Sequence, residues 1–279
     1  MRLGAPVFVD TDDPDALAQA HRELGYRAAY CPELTLDDPD RIRAVREAFA
    51  RHDVVIAEVG VWNNLMDPDA DKRRQHVKAM AEGLALADEV GALCLVNIAG
   101  GFSSEQWDGP HPANLSQDAF ALAVENARGI IDAVRPKRAK LTYEMMPYMI
   151  PDGPDSYLEL VQAVDRRAFG VHLDVVNIIN SPRRYYGSAD LITECFQKLG
   201  PHIVSCHLKD IRLDDRLTVH LDEVIVGKGG FDIPTYLQEA AKLPHEPPVL
   251  LEHLRTPEEY DQARSYIIQL AERAGVPFS

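Results

Sequence analysis

The chain has 279 residues, 46% of them hydrophobic, and its 44 Asp and Glu exceed its 29 Lys and Arg to give a formal net charge of −15. This length and apolar content suffice for one large core or two small ones. Because so negative a chain is repelled by nucleic-acid phosphates and by anionic lipid surfaces, we expect neither nucleic acid nor a membrane as a partner.

The cysteine pattern and the N-terminal residues indicate the cellular compartment in which the protein is expected. Four cysteines are scattered singly, with no CxxC pair, at Cys31, Cys94, Cys195 and Cys206. The N-terminal segment "MRLGAPVFVD" has no apolar region of signal-peptide length, and no stretch approaches the length of a membrane span. We therefore expect a cytoplasmic protein whose cysteines are reduced, buried and apolar in character.

Short apolar runs alternate with amphipathic stretches along the whole chain. The runs predict strands at 4–9, 26–31, 54–61, 92–99, 139–145, 169–176, 203–208 and 248–253. The amphipathic stretches predict helices at 14–24, 39–52, 70–91, 117–135, 156–164, 189–199, 234–243 and 257–275. Proline opens several of these stretches and glycine closes several, in agreement with the residue preferences of helix ends.

This alternation of strand and helix predicts a single (β/α)8 TIM barrel in which residues 1–279 form one domain. The alternative is a doubly wound open sheet, which a GxGxxG motif after the first strand would favour, and the sequence has no such motif. The glycine-rich segment "VGKGGFD" (226–232) follows the seventh strand. We interpret it as a turn into the next helix, with phosphate binding as the weaker alternative.

Each of the last four predicted strands ends in a side chain that can bind a metal ion. These side chains are Glu144, Asp174, His207 and Glu252. Because the active site of a (β/α)8 barrel lies at the C-terminal ends of the strands, we expect the four to lie together. Burying three carboxylates side by side is unfavourable unless a cation compensates their charge. The pattern therefore predicts a site for one divalent metal ion.

The composition of this ligand set bears on the metal and on the substrate. Three carboxylates and one imidazole favour Mn²⁺, with Co²⁺, Fe²⁺, Mg²⁺ and Zn²⁺ as the alternatives. Four protein ligands around an octahedral ion leave two positions open. Two adjacent open positions can chelate a vicinal carbonyl and hydroxyl of a sugar.

The order Glu, Asp, His, Glu on strands five to eight is accompanied by "HLKD" (207–210), "LLEH" (250–253) and the loop "GVWNNLMDPD" (60–69). With these motifs the chain resembles the xylose isomerase-like TIM barrel superfamily, in particular its sugar phosphate isomerase/epimerase branch. The resemblance implies that the four strand-end residues are the metal ligands. In ketose epimerases of this kind two glutamates also move the proton, and Glu144 and Glu252 match their positions.

The sequence departs from the ketose-epimerase pattern at three places. Asn177 stands where those enzymes have a histidine three residues after the aspartate. They have a second glutamate shortly after the first, and here only Asp152 follows, farther on. They also have an arginine beyond the ligand histidine, for which Arg212 is the candidate.

Other polar residues near the strand ends are candidates for substrate contacts. Alternation places His172 on the same strand face as Asp174, either as a core histidine or as a site residue. Lys209 shares a face with His207. We interpret it as a group that steadies an enolate or donates a proton, and the alternative is a salt bridge to an acid. Asp210 is interpreted as a loop residue that orients a neighbour.

The loops after strands three, four and six contain further candidates. Trp62 and Trp107 are platforms on which the CH face of a sugar would stack, with loop packing as the alternative. We interpret His111 as a residue on the rim of the site, with a role as general acid as the alternative. Arg183 and Arg184 lie in the loop 180–188, where they would hold a phosphate or carboxylate, or pair with surface acids.

These observations favour a metal-dependent sugar isomerase or epimerase that removes a proton next to a carbonyl of a keto-sugar or related polyol, through an enediolate. A lyase or dehydratase on the same site is the alternative, favoured slightly by the absence of the usual histidine at Asn177. A non-catalytic sugar-binding barrel would have no need of two glutamates at a metal. We expect a small sugar as the partner, and the sequence leaves open the sugar, its phosphorylation and a homo-oligomeric state.

Overall fold

The computed structural model describes residues 1–278. Its strands are β1 (Leu3–Gly4), β2 (Ala28–Tyr30), β3 (Val55–Gly60), β4 (Cys94–Asn97), β5 (Lys140–Glu144), β6 (Phe169–Leu173), β7 (Ile203–Leu208), β8 (Asp210–Asp214), β9 (His220–Val224) and β10 (Val249–Leu251). Eight of them close into a parallel barrel in the order β1-β10-β7-β6-β5-β4-β3-β2. The remaining two, β8 and β9, form an antiparallel hairpin between the seventh and eighth barrel strands.

Helices surround this barrel. They are α1 (Pro14–Glu23), α2 (Pro39–Arg51), α3 (Ala70–Val90), α4 (Gln117–Val134), α5 (Pro154–Val164), α6 (Pro182–Tyr186), α7 (Ser188–Leu199), α8 (Ile233–Ala241) and α9 (Pro257–Arg273). Proline at the first turn and a side-chain cap from Asp13, Asp38 or Thr256 fix the starts of α1, α2 and α9. Within residues 1–278, no helix combines the length and the apolar character that a membrane crossing requires.

The predicted (β/α)8 TIM barrel is confirmed, and three local predictions are corrected. The first strand is only Leu3–Gly4, because Pro6 cannot donate to a sheet and the following Phe8 and Val9 are exposed. The segment 210–224, for which no strand was predicted, forms the β8–β9 hairpin. The loop 180–188 contains the short helix α6, capped by Ser181.

The interior of the barrel is polar near the ends of the strands. Thr142, His172 and Ser205 are completely buried, and Glu58 is 2% exposed. Ser205 of β7 donates a hydrogen bond to Glu58 of β3 over 3.0 Å, and these strands are not neighbours in the barrel. The buried apolar side chains form the main hydrophobic cluster, which includes residues from the helices and the strands. A polar floor therefore lies beneath the C-terminal ends of the strands.

Candidate metal centre

The fold brings the four strand-end residues together. Glu144 ends β5, Asp174 follows β6, His207 lies next to the end of β7, and Glu252 follows β10. One ligand atom from each lies within 4.8 Å of the others. Nδ1 of His207 lies 3.0 Å from Oε2 of Glu252, 3.1 Å from Oε1 of Glu144 and 3.8 Å from Oδ2 of Asp174. The arrangement is a compact set of three carboxylates around one ring nitrogen.

The chemistry of this group fits a divalent cation. Oδ2 of Asp174 and Oε2 of Glu252 are buried, yet neither accepts a well-aligned hydrogen bond, although the Lys209 ammonium approaches them at 2.8 and 3.1 Å. Buried carboxylate oxygens are normally satisfied by hydrogen bonds or by a metal. Glu144, Asp174, His207 and Glu252 can therefore hold a metal ion, and their oxygen-rich composition suits a hard one.

The buried charges shift the proton affinities of the group in opposite directions. Burial and the neighbouring Glu252 carboxylate raise the pKa of Glu144 to about 7. Burial alone would raise the pKa of Glu252 too, but His207 and Lys209 hold it well below its usual range. Burial alone would lower the pKa of His207, and the surrounding carboxylates, Glu252 foremost, raise it well above its usual value. The two glutamates thus differ in proton affinity, as an acid and a base in one site do.

Lys209 lies beside this group and is 2% exposed. In addition to its contacts with Asp174 and Glu252, its Nζ donates to Oδ1 of Asn177 over 2.7 Å. The amide nitrogen of Asn177 donates to Oε1 of Glu144 over 3.1 Å. The salt bridges considered as the alternative for Lys209 are therefore present, and Asn177 links its ammonium to Glu144.

Glu58 of β3 is a residue of this centre that the sequence analysis missed. Its Oε1 lies 3.2 Å from Nε2 of His207, and its Oε2 accepts from Ser205. His172 lies below, fully buried, with its ring edge-on to that of His207 at 4.1 Å between centroids and its Nδ1 3.4 Å from Glu58. The available signal was a single acid within the apolar run "VVIAEVGV".

A cavity of about 830 Å³ opens above the centre. Its aromatic lining includes Tyr30, Trp62, Trp107 and Tyr260, and its acidic lining includes Glu58, Asp108, Glu144, Glu223 and Glu252. Both tryptophans predicted as stacking platforms therefore face the cavity. Tyr30, Glu223 and His253 also line it and were not among the sequence candidates.

The arginine candidates lie outside this cavity. Arg183 is exposed on α6 and lines a separate surface cavity next to α5 and α7. Arg184 lines that surface cavity as well and donates to the backbone oxygen of Ile178 over 2.7 Å. Arg212 is exposed on β8 and forms an ion pair with Asp214 at 3.0 Å. Arg184 and Arg212, which were candidates for substrate contacts, therefore pair with a backbone oxygen and a surface acid instead.

His111 also lies outside the cavity lining. It is exposed, and its Nδ1 accepts a hydrogen bond from the backbone N–H of Ala113 over 3.2 Å. This contact caps the short 3₁₀ helix Pro112–Leu115. His111 therefore lies in an exposed loop outside the cavity.

Asp210, at the start of β8, holds the loop 226–232. Its Oδ1 accepts from the backbone N–H groups of Ile211 and Phe231 at 2.9 and 3.1 Å. Its Oδ2 accepts from Gly227 and Gly229 at 2.9 and 2.8 Å. The carboxylate therefore orients the glycine-rich loop, as its interpretation as an orienting residue implied.

The family model for the xylose isomerase-like TIM barrel matches residues 18–270, and the chain belongs to this family. The predicted family is thereby confirmed. Among curated proteins, none matches the chain.

Several solved structures share the fold. A xylose isomerase-like TIM barrel protein from Mycobacterium smegmatis in complex with magnesium is 20% identical, with a TM-score of 0.67 over 94% of this chain and 90% of its own. D-psicose 3-epimerase with D-tagatose from Clostridium cellulolyticum is 11% identical, with a TM-score of 0.70 over 99% and 100%. A probable 3-DHS dehydratase from Bacillus anthracis is 18% identical, with a TM-score of 0.69 over 98% and 100%.

Proposed function

We propose that the chain is a divalent-metal-dependent isomerase or epimerase that acts on a keto-sugar or a related polyol. The observation that carries this proposal is the placement of Glu144 and Glu252. They end β5 and β10, which are separated in the barrel by β6 and β7, and each lies within 3.1 Å of Nδ1 of His207. Two carboxylates thus approach one point from different sides, at the floor of an aromatic cavity.

Glu144, Asp174, His207 and Glu252 would hold the metal, and their hard, mostly oxygen ligands favour Mn²⁺. When bound, such an ion polarises a carbonyl oxygen and so acidifies the hydrogen on the adjacent carbon. The M. smegmatis neighbour in complex with magnesium supports a divalent ion at this fold.

The two glutamates carry the proton. One removes it from one face of the substrate carbon, and the other, protonated, returns a proton to the opposite face of the flat enediolate. Burial raises the pKa of Glu144 above its usual value, whereas His207 and Lys209 hold that of Glu252 below it, so the two carboxyl groups differ in proton affinity. The hydrogen bond from Asn177 to Oε1 fixes its orientation. Trp62 and Trp107 offer surfaces for the CH face of the sugar.

A lyase is the second candidate, because Asn177 replaces the histidine that the related epimerases have. It would use the same proton abstraction and then lose a β-substituent instead of taking a proton back. Among the structural neighbours, the epimerase supports the first outcome and the dehydratase supports the second.

The test is incubation of the Mn²⁺-loaded protein with a panel of keto-sugars in deuterated water, followed by NMR of product and recovered substrate. The proposal predicts deuterium at the carbon next to the carbonyl, and no exchange after exhaustive chelation. Deuterium uptake with release of water or another leaving group would identify the lyase. Turnover without exchange, or full activity of a metal-free preparation, would contradict the proposal.

A further inference from the structure

We propose that this site takes a neutral sugar, without a phosphate or carboxylate group. The inference rests on the proposed function in one respect, that the ligand is a keto-sugar or polyol. It goes beyond that function by excluding the phosphorylated and acidic members of that class.

The first argument is the charge of the cavity. Among the described residues that line it there is neither arginine nor lysine, whereas Asp108 and Glu223 lie on its wall above the carboxylates of the metal centre. Lys209 lies nearby, but its ammonium already contacts Asp174, Glu252 and Glu223. A phosphate on the wall of this cavity, beyond the reach of the metal, would lose its hydration without gaining an arginine or lysine partner and would face like charges. A carboxylate beyond the reach of the metal would meet the same repulsion.

The second argument is that the usual phosphate position of a (β/α)8 barrel is filled. Such barrels often bind phosphate through backbone N–H groups of the loops after the seventh and eighth strands. Here the N–H groups of Gly227, Gly229 and Phe231 all donate to the Asp210 carboxylate. Even a Cβ atom on Gly229 would lie 2.2 Å from Oδ1 of Asp210, so the space is closed as well. The protein's own anion occupies this loop.

The third argument is the position of the other cationic side chains in this region. Arg212, Lys228 and Arg255 line a separate surface cavity of about 410 Å³ behind β9. Glu223, Glu252 and His253 border both cavities, and Nδ1 of His253 lies 2.9 Å from Oε2 of Glu223. This ion pair lies on the wall that the two cavities share, and none of the three cations lines the cavity above the candidate metal site.

What the cavity offers suits hydroxyl groups instead. Carboxylates such as Asp108 accept hydrogen bonds from sugar hydroxyls, and Trp62 and Trp107 provide apolar faces for the CH groups of a ring. None of these contacts requires a charged group on the sugar. A neutral polyhydroxylated ring satisfies them fully.

The experiment is equilibrium binding to the Mn²⁺-loaded full chain, with matched pairs as probes. The neutral members are D-fructose, D-tagatose and D-xylulose. The anionic members are their terminal phosphates and 2-keto-D-gluconate. We expect at least one neutral ketose to bind, and its phosphate to bind at least about tenfold more weakly, because the charge is left unpaired in the cavity. Tighter binding of any anionic member than of its neutral counterpart overturns the inference, and so does the failure of all neutral members to bind.

A pair of charge-matched variants tests the cause. Asp108→Arg places a cation on the cavity wall, and Asp215→Arg makes the same charge change on the exposed turn between β8 and β9. We expect Asp108→Arg to improve the phosphate's affinity relative to the neutral sugar by about tenfold, and Asp215→Arg to leave the ratio unchanged. Equal ratios in both variants and wild type contradict control of selectivity by the cavity wall.

The outcome is independent of the proton-transfer assay. A neutral ketose that binds selectively without deuterium exchange would uphold this inference and contradict the proposed function. Exchange that occurs only with a phosphorylated ketose would do the reverse.

Discussion

Three buried carboxylates, those of Asp210, Asp174 and Glu252, lie near the end of β7. The hydrogen bonds that Asp210 accepts differ from those of the other two. Asp210 accepts hydrogen bonds from four backbone N–H groups. Asp174 and Glu252 each retain a buried oxygen without a well-aligned hydrogen bond. A carboxylate whose lone pairs are filled by the backbone holds the fold in place, whereas one that meets only a nearby side-chain cation keeps lone pairs available to an ion or a substrate.

The largest expected effect is on the rate of deuterium exchange, when one of the two glutamates near Asp174 is replaced. Glu144→Gln or Glu252→Gln keeps an oxygen that can bind metal but removes the carboxyl group that we propose to transfer the proton. We expect the rate of deuterium exchange, measured at saturating Mn²⁺, to fall by about 10²–10⁴-fold in each variant. The double variant should lose little more than the worse single one, because the two residues act as a unit.

Asp210→Asn is the matched control for these substitutions, since it removes a buried charge nearby without touching the proton path. Its exchange rate per folded molecule should stay within a few-fold of wild type. A glutamine variant that is as active as this control would remove that glutamate from the proposed mechanism.

Metal removal should have the next largest effect. Because the clustered carboxylates of Asp174 and Glu252 favour a cation in the folded state, we expect metal binding to stabilise that state by about 3–4 kcal/mol at a 100- to 1,000-fold excess of metal over its dissociation constant. Thermal unfolding with and without Mn²⁺ measures the difference. Asp174→Asn should shrink it, whereas Asp210→Asn should preserve it. Identical melting of the chelated and loaded forms across a range of metals would show that the four residues do not share an ion.

The structural side of the comparison predicts a smaller effect. Asp210→Asn leaves one oxygen to accept and points an NH₂ group towards backbone N–H groups. We expect a loss of about 1.5–3 kcal/mol in the free energy of unfolding, equal in chelated and metal-loaded protein. Asp214→Asn, which alters a partly exposed carboxylate in an ion pair with Arg212, should change it much less, because solvent screens such a pair. Urea unfolding of both variants checks the prediction, and equal losses would mean that the loop does not depend on Asp210.

The sequence allowed the barrel and the four clustered strand-end residues to be predicted because both follow from local order. Each strand is a short apolar run, and each ligand stands at a position where such a run ends. The β8–β9 hairpin escaped prediction because its alternating charges, as in Arg212 and Asp214, resemble those of a polar loop. The orientation of Arg212 and Arg183 also depends on partners that no spacing rule identifies. Glu58 lies 149 residues from His207, and only closure of the barrel brings them together.

Glu58 supplies the smallest and most specific test of the comparison. Like Asp210 it is a buried carboxylate that accepts hydrogen bonds, but one of its partners is His207, which belongs to the candidate metal centre. If Glu58 accepts from Nε2–H, the lone pair of Nδ1 faces the three other carboxylates, as a metal ligand requires. Carboxylates in this position strengthen metal binding by orienting the imidazole and raising its basicity.

Glu58→Gln keeps an oxygen that can accept from Nε2–H and loses only the charge, so we expect Mn²⁺ affinity to fall by about tenfold, the lower end of the range for such partners. Glu58→Ala leaves the ring without an acceptor and should approach a hundredfold loss. Ser205→Ala removes only the hydroxyl that contacts Oε2 and should change the affinity little. Titration of Mn²⁺ by electron paramagnetic resonance gives the affinities, and ¹⁵N NMR of the diamagnetic Mg²⁺ form reports which ring nitrogen of His207 carries the proton. An Mn²⁺ affinity that decreases from Ser205→Ala to Glu58→Gln to Glu58→Ala, with a change of the His207 tautomer in Glu58→Ala, would place Glu58 with the metal centre. Equal affinities in all three would place it with Asp210 as a carboxylate that serves the fold alone.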